Sequence, residues 1–341
     1  MSSTAAVSVA GLTLKNPVIA GSGEATMNLG GILAALDAGA AAVVAKSTNE
    51  SEAAKRQLGA AEYVLLDERW RPLPWGPAPA GSTLFCRSGL VAEPFERWLE
   101  ILVRADRQAR GRDAFVAASI VVSGADDAIR MAKEIEAAGL RWLELNVGAP
   151  HAEEAAPGAI RAATEAGRID ELVGPIRAAV TIPLTVKLGM LGDPAAAAEA
   201  AFAAGADAAC LAGRHLGFLP DPETRRPILG TFGAVGGGWA LPLTLRWIAR
   251  TRQRLGPARS LIGTNGARDG LDVVRFLLAG ASAVEMTSAV MTDGPGALTR
   301  VIEELEVYLS QHGVRAADIV GEATDHVMTY EGAGAHREVR G

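Results

Sequence analysis

Two hydrophobic rhythms alternate along this chain. Short runs that are apolar at nearly every position are separated by longer stretches in which apolar residues recur every three or four positions. Eight runs have the first character: PVIAG (17–21), AAVVAK (41–46), FVAASIVV (115–122), WLELN (142–146), PLTVK (183–187), DAACLA (207–212), SLIGT (260–264) and SAVEMT (282–287). A strand reads this way when both of its faces are covered, as in a parallel sheet. Helices are expected at 29–38, 92–110, 126–138, 161–179, 194–204, 240–255, 270–279 and 295–311. Several end in a glycine that leads straight into the next strand, as in AAGL (137–140), AAGAD (203–207) and LAGAS (278–282). Glycine just past the last turn is a usual helix stop. Eight strand–helix alternations with short returns predict a closed (β/α)8 barrel in preference to an open doubly wound sheet.

Two connections exceed simple turns. Residues 47–91 contain the proline-rich RWRPLPWGPAPAG, and residues 213–239 contain FLPDPETRRPILG and GAVGGG. Both leave the C-terminal ends of strands, where barrel loops build binding sites. They are read as functional loops of one barrel domain over 1–312, with 313–341 as a C-terminal tail.

Composition narrows the function classes. The 341 residues are 49% hydrophobic and carry a net charge of −6. That supports a large core and supplies no basic field for nucleic acid or an anionic membrane. The two cysteines, Cys86 and Cys210, have no paired spacing, which argues against a disulfide framework, a zinc site or an iron–sulfur cluster. The opening MSSTAAVSVAGLTLK lacks the pattern of a leader, and no apolar run reaches membrane-spanning length. A cytoplasmic protein is expected.

Loops after the seventh and eighth strands of a barrel commonly hold a phosphate, because glycine admits close backbone approach and free N–H groups point at the anion. Gly266, Thr287 and Ser288 occupy those positions; the alternative is that Gly266 turns the chain and Thr287 packs. Lys46 and Lys187 end apolar strands. An ammonium there either meets an anion or a polar cofactor, or snorkels to water.

The segments KNPVIAGSG (15–23), AKSTN (45–49), LELNVGAPH (143–151), LTVKLG (184–189), GAVGGGWALP (233–242), GTNG (263–266) and GASAVEMTSA (280–289) stand in a characteristic order and spacing. Together they resemble the FMN-dependent dihydroorotate dehydrogenases and the pyrimidine-reducing barrel of dihydropyrimidine dehydrogenase, over residues 7 to 311. The resemblance implies FMN at the C-terminal mouth of the barrel and hydride exchange with a C–C bond next to a carbonyl. It implies that Ala20, Gly21 and Ser47 lie against the flavin, with Lys46 and Lys187 near its ring system. Asn146 would stand near both flavin and substrate, and Gly237, Thr264, Gly266, Thr287 and Ser288 around the phosphate. A small-molecule substrate, an electron partner that is NAD(P)H or another protein, and a homo-oligomer are implied likewise.

The substrate half departs from the family pattern. Where family members remove the substrate proton with cysteine or serine, this chain has Ala149 (or Gly148), and neither exchanges a proton. CRSGL (86–90) puts Cys86 where an asparagine would hold the ring, His151 follows Pro150 in place of Asn or Gln, and Arg214 falls near the strand-six asparagine position. His151 and Cys86 join Lys46 and Asn146 as the candidate catalytic set. A hydrogen-bonding loop histidine and a merely buried thiol are the plainer readings. Arg214, with His215 and Asn146, is the candidate substrate clamp, since a guanidinium fork suits a carboxylate; a surface salt bridge is the alternative. Two further readings stay open: a flavin-binding subunit of a multi-chain reductase, and a catalytically silent FMN-binding barrel.

Overall fold

The computed structural model describes residues 4–49, 51, 54–56, 59, 61–148, 166–189, 192–211 and 213–332. Eight parallel strands follow one another around a closed barrel. They are β1 (Val18–Ala20), β2 (Ala42–Val44), β3 (Phe115–Val121), β4 (Leu143–Asn146), β5 (Leu184–Lys187), β6 (Ala208–Leu211), β7 (Ser260–Thr264) and β8 (Ala283–Met286). Closure pairs β8 with β1, Met286 opposite Ala20. Every strand lies inside the apolar run that predicted it.

The surrounding helices are α1 (Leu29–Asp37), α2 (Phe95–Arg110), α3 (Ala125–Ala137), α4 (Ala166–Ala179), α5 (Pro194–Ala203), α6 (Leu241–Leu255), α7 (Gly270–Ala279) and α8 (Gly296–His312). Local chemistry sets their ends. Asp193 and Asp269 cap α5 and α7, accepting first-turn N–H groups from Ala195 and Asp272. Gly139, Gly205 and Gly280 leave α3, α5 and α7 at φ +83°, +99° and +112°, the left-handed turn that glycine makes without a side-chain clash.

The two long connections are more ordered than loops. Glu62–Leu66, Pro72–Leu73 and Thr83–Arg87 from the first join His215–Gly217 and Gly233–Gly236 from the second in one five-stranded antiparallel sheet. Thr83–Arg87 is its middle strand, with Cys86 opposite Tyr63 on one side and Ala234 on the other. Leu66, Phe85 and Leu229 form a small core of their own beneath it. These strands are brief and punctuated by Pro and Gly, and their stability comes from nonlocal pairing, so no local rhythm announces them.

An N-terminal hairpin, Val7–Val9 with Leu12–Leu14, packs at the other end of the barrel, where Ala10 N–H donates to Ser260 Oγ at 3.1 Å. Beyond α8 the chain folds back on the outer helices: Thr324 Oγ1 donates to the Ala279 carbonyl at 2.8 Å, and Arg252 pairs with Asp325 at 3.0 Å. Among the described residues, no helix is long and apolar enough to cross a membrane.

Candidate active site

The floor of the barrel mouth is polar. Lys187 and Asn146 end neighbouring strands in register. Glu144 and Glu285 project from β4 and β8, each only 1% exposed. Lys187 Nζ lies 2.5 Å from Glu285 Oε2 and 3.7 Å from Glu144 Oε2. Burial works against a charged ammonium, but the two carboxylates outweigh it and hold the Lys187 pKa above its ordinary value. Burial pushes Glu144 up to about 8; Lys187 pulls against that shift and the charge on Glu285 adds to it. Cys210 completes the cluster, its Sγ within 4.8 Å of carboxylate oxygens of both glutamates, and burial raises its thiol well above the usual range. A line of hydroxyls leaves Glu144: Ser119 Oγ donates to Glu144 Oε1 at 2.8 Å, Ser47 Oγ is 2.8 Å from Ser119, and Ser22 Oγ is 3.3 Å from Ser47.

A second buried cation pairs nearby. Lys46 Nζ meets Glu24 Oε1 at 2.7 Å. Burial lowers the Lys46 pKa against the pull of Glu24. Neither strand-end lysine therefore snorkels; each finds an acid. Arg214 is half-buried, with Nη1 2.7 Å from Cys86 Sγ and its guanidinium 5.6 Å from the centroid of the Tyr63 ring. Burial opposes its charge, but Cys86, Tyr63 and Glu24 raise its pKa, so Arg214 is a cation in the cleft wall and not a surface salt bridge. Burial likewise raises the Cys86 thiol, which is a neutral acceptor for Arg214.

These groups surround a cleft of about 1100 Å³, counting its open mouth. Of the residues nominated from sequence, Lys46, Ser47, Asn146, Lys187 and Arg214 line it. Thr264, Gly266, Thr287 and Ser288 line it too. Gly237 belongs to a narrower extension that shares Gly266 and Ser288. Ala20 and Gly21 sit behind the wall: a Cβ on Gly21 would fall 2.3 Å from Thr287 Oγ1. Cys86 reaches the cleft only through Arg214. His215 turns away and stacks on Trp239, ring centroids 5.6 Å apart. Ala149 and His151 lie outside the described residues. Sequence reasoning missed Ser22, Glu24, Tyr63, Asn265 and Glu285, all of which line the cleft. For Glu285 a signal existed, an acid inside an apolar run; for Tyr63 there was none.

The narrow extension has a distinct character. Gly236, Gly237, Gly238, Gly266, Arg268 and Ser288 are among its walls, and no carboxylate is. A short helix, Ser288–Asp293, begins there without a side-chain cap, so its first N–H groups are left to a ligand or water. Asn265 Oδ1 accepts from Gly237 N–H at 3.3 Å while its amide donates to the Gly213 carbonyl at 3.2 Å, fixing the turns after β6 and β7 to each other. Gly266 has φ +122°, and a Cβ there would meet Leu241 Cα at 2.6 Å. Donors without acids suit a phosphate dianion, and the cations at the inner end suit an electron-accepting ring system. The residues present fit FMN on both counts.

The dihydroorotate dehydrogenase family model matches residues 78–309. The chain belongs to the dihydroorotate dehydrogenase family. It is 32% identical to the catalytic subunit of dihydroorotate dehydrogenase B (NAD(+)) from Desulforudis audaxviator, over 93% of this chain and 97% of that one. It is 35% identical to dihydroorotate dehydrogenase A (fumarate) from Lactobacillus helveticus, over 62% and 68%. The structure of a dihydroorotate dehydrogenase from Eimeria tenella in complex with ferulenol superposes with a TM-score of 0.71 at 18% identity, covering 95% of this chain and 89% of the other, and supports the fold. Dihydroorotate dehydrogenases are FMN-dependent oxidoreductases acting on CH–CH bonds, as the sequence resemblance implied.

Proposed function

We propose that the protein exchanges a hydride between bound FMN and a carbon–carbon bond next to a carbonyl in a small anionic substrate. FMN, when bound, supplies two-electron hydride chemistry that no side chain offers. The observation that carries the reading is the polarity of the cleft: a donor-lined, acid-free extension at one end, and at the other Lys46, Lys187 and Arg214 facing Glu24 and Glu285. With Glu144 neutral, three cations against two carboxylates leave one positive charge unmatched, which favours an anionic substrate.

Each residue then has a task. Gly237, Gly266, Thr264, Thr287 and Ser288 hold the phosphate. Lys46, Ser47 and Lys187 lie along the ring system. Asn146 spends its carbonyl on Gly148 N–H at 3.2 Å, so it offers the cleft its amide donors. Arg214 binds the substrate's charge. Proton handling passes to another group, because Ala149 stands where the family's base would be. Tyr63 is suited to it: its hydroxyl lies beside Glu24 and Arg214, and burial holds the phenol neutral. Dihydroorotate itself is expected to be a poor substrate.

A second reading has one specific support: the Desulforudis relative is named a catalytic subunit. This chain's two cysteines are both buried, so under that reading a partner chain brings the electrons, and co-purification of an iron–sulfur protein would favour it. The deciding experiment is the visible spectrum of the purified protein before and after anaerobic NADH, NADPH or dihydroorotate. Flavin bleached by a nicotinamide nucleotide supports a self-sufficient reductase. A protein that takes up no FMN overturns the proposal.

A further inference from the structure

Two buried oxygens in the barrel floor, Glu144 Oε2 and Glu285 Oε1, have no hydrogen-bond partner among the described residues. Each carboxylate has spent its other oxygen: Glu144 Oε1 on Ser119, Glu285 Oε2 on Lys187. The titratable groups that face Glu144 are Lys187 from β5, Cys210 from β6 and Glu285 from β8. Two ionised carboxylates against one ammonium would leave a net negative charge in a dry interior, and two orphaned acceptors besides. Each orphan costs about 1–3 kcal/mol. A single proton cures both faults. Carried on Glu144 and donated toward Glu285, it satisfies the two free oxygens and leaves one carboxylate to balance Lys187.

We propose that Glu144 and Glu285 share one proton, supplied from the cleft through Ser22, Ser47 and Ser119, and that they bind it more tightly when the cofactor beside Lys187 gains electrons. The inference rests on the FMN reading above. Negative charge added next to Lys187 raises the proton affinity of the carboxylates behind it by Coulomb's law. The step balances simply: the cofactor takes its electrons from the donor, one proton enters from solvent along the hydroxyls, and only an O–H bond forms at the pair. Burial sets the window. Below about pH 8 the pair keeps its proton in both redox states; above it the oxidised protein has released the proton and reduction draws it back.

The test is the midpoint potential of the FMN-loaded protein as a function of pH, measured by spectroelectrochemistry on either side of pH 8. Above that value the wild-type potential should fall more steeply by one extra proton per two electrons. That is tenfold per pH unit in the equilibrium, or about 30 mV for a two-electron couple. Glu144→Gln and, independently, Glu285→Gln should abolish the extra slope, since a lone carboxylate beside Lys187 stays ionised. Unchanged slopes in variants that still bind FMN overturn the shared proton. Failure of the wild type to take up FMN overturns the cofactor reading instead. Ser22→Ala, which breaks the line at its cleft end, should slow proton uptake after rapid photoreduction; an unaltered rate removes the hydroxyl path.

Discussion

Arg214 stands over Tyr63, its guanidinium carbon 5.6 Å from the ring centroid, although the two residues come from different insertions. The contact closes one wall of the cleft and leaves a cation facing in. Arg214→Met should therefore weaken binding of orotate, used as an anionic probe, by about tenfold to a hundredfold, the worth of a hydrogen bond to a charged group. Uracil, its uncharged counterpart, should lose much less. Titrations followed by flavin absorbance read both; an equal loss for the two ligands would reduce Arg214 to a wall support.

Lys187 pairs with Glu285 and sits 3.7 Å from Glu144, two acids buried in the barrel floor. Lys187→Met should destabilise the fold by about 3 kcal/mol in urea unfolding, because removing one partner strands the others without compensation. A change under about 1 kcal/mol, the range of an exposed pair, would mean that water reaches the floor freely.

Ser288 opens the short helix at the acid-free end of the cleft. Ser288→Glu places a carboxylate where phosphate is expected, at a helix start that tolerates negative charge. FMN affinity should fall by about tenfold or more, on the scale of a lost charge-assisted contact, while riboflavin, which has no phosphate, binds as before. Fluorescence titration with both flavins distinguishes this from general damage, which would weaken the two alike.

Glu144 gives the fold a pH dependence of definite sign. Its pKa is raised from 4.5 to about 8, so between those values the folded chain holds a proton that the unfolded chain has released. Stability from this group is complete at the acid end of the window, declines as pH rises, and levels off above about 8. Glu24 behaves oppositely: burial resists its ionisation, Lys46 outweighs burial, and its contribution is lost only as pH falls through its lowered value. Urea midpoints across pH should show a decline in the wild type that Glu144→Gln lacks.

The barrel was legible because its signals are local. Continuous apolar runs mark strands covered on both faces, and glycines such as Gly280 mark where a helix must stop. Part of the cleft lining was legible for a related reason: Lys46, Asn146, Lys187 and Thr287 sit at or just past strand ends, which the fold brings to one rim. Tyr63 and Glu24 could not be read, since their positions depend on tertiary pairing that leaves no period in the chain. Arg214 was nominated for its fork, but its partner, the Cys86 thiol, comes from a strand 128 residues away. Glu285 was visible as an acid in an apolar run, yet its meaning needed Lys187 from the facing strand.

The antiparallel wall has a consequence for exchange between related barrels. Its middle strand, Thr83–Arg87, pairs with the segment carrying Tyr63 on one edge and with Gly233–Gly236 on the other, and Gly233–Gly236 in turn pairs with His215–Gly217 next to Arg214. Swapping one insertion would leave the middle strand with a bare edge and the remaining side chain without its neighbour. The two insertions are a single transplantable cassette, and substrate preference should pass from one scaffold to another only when both move together.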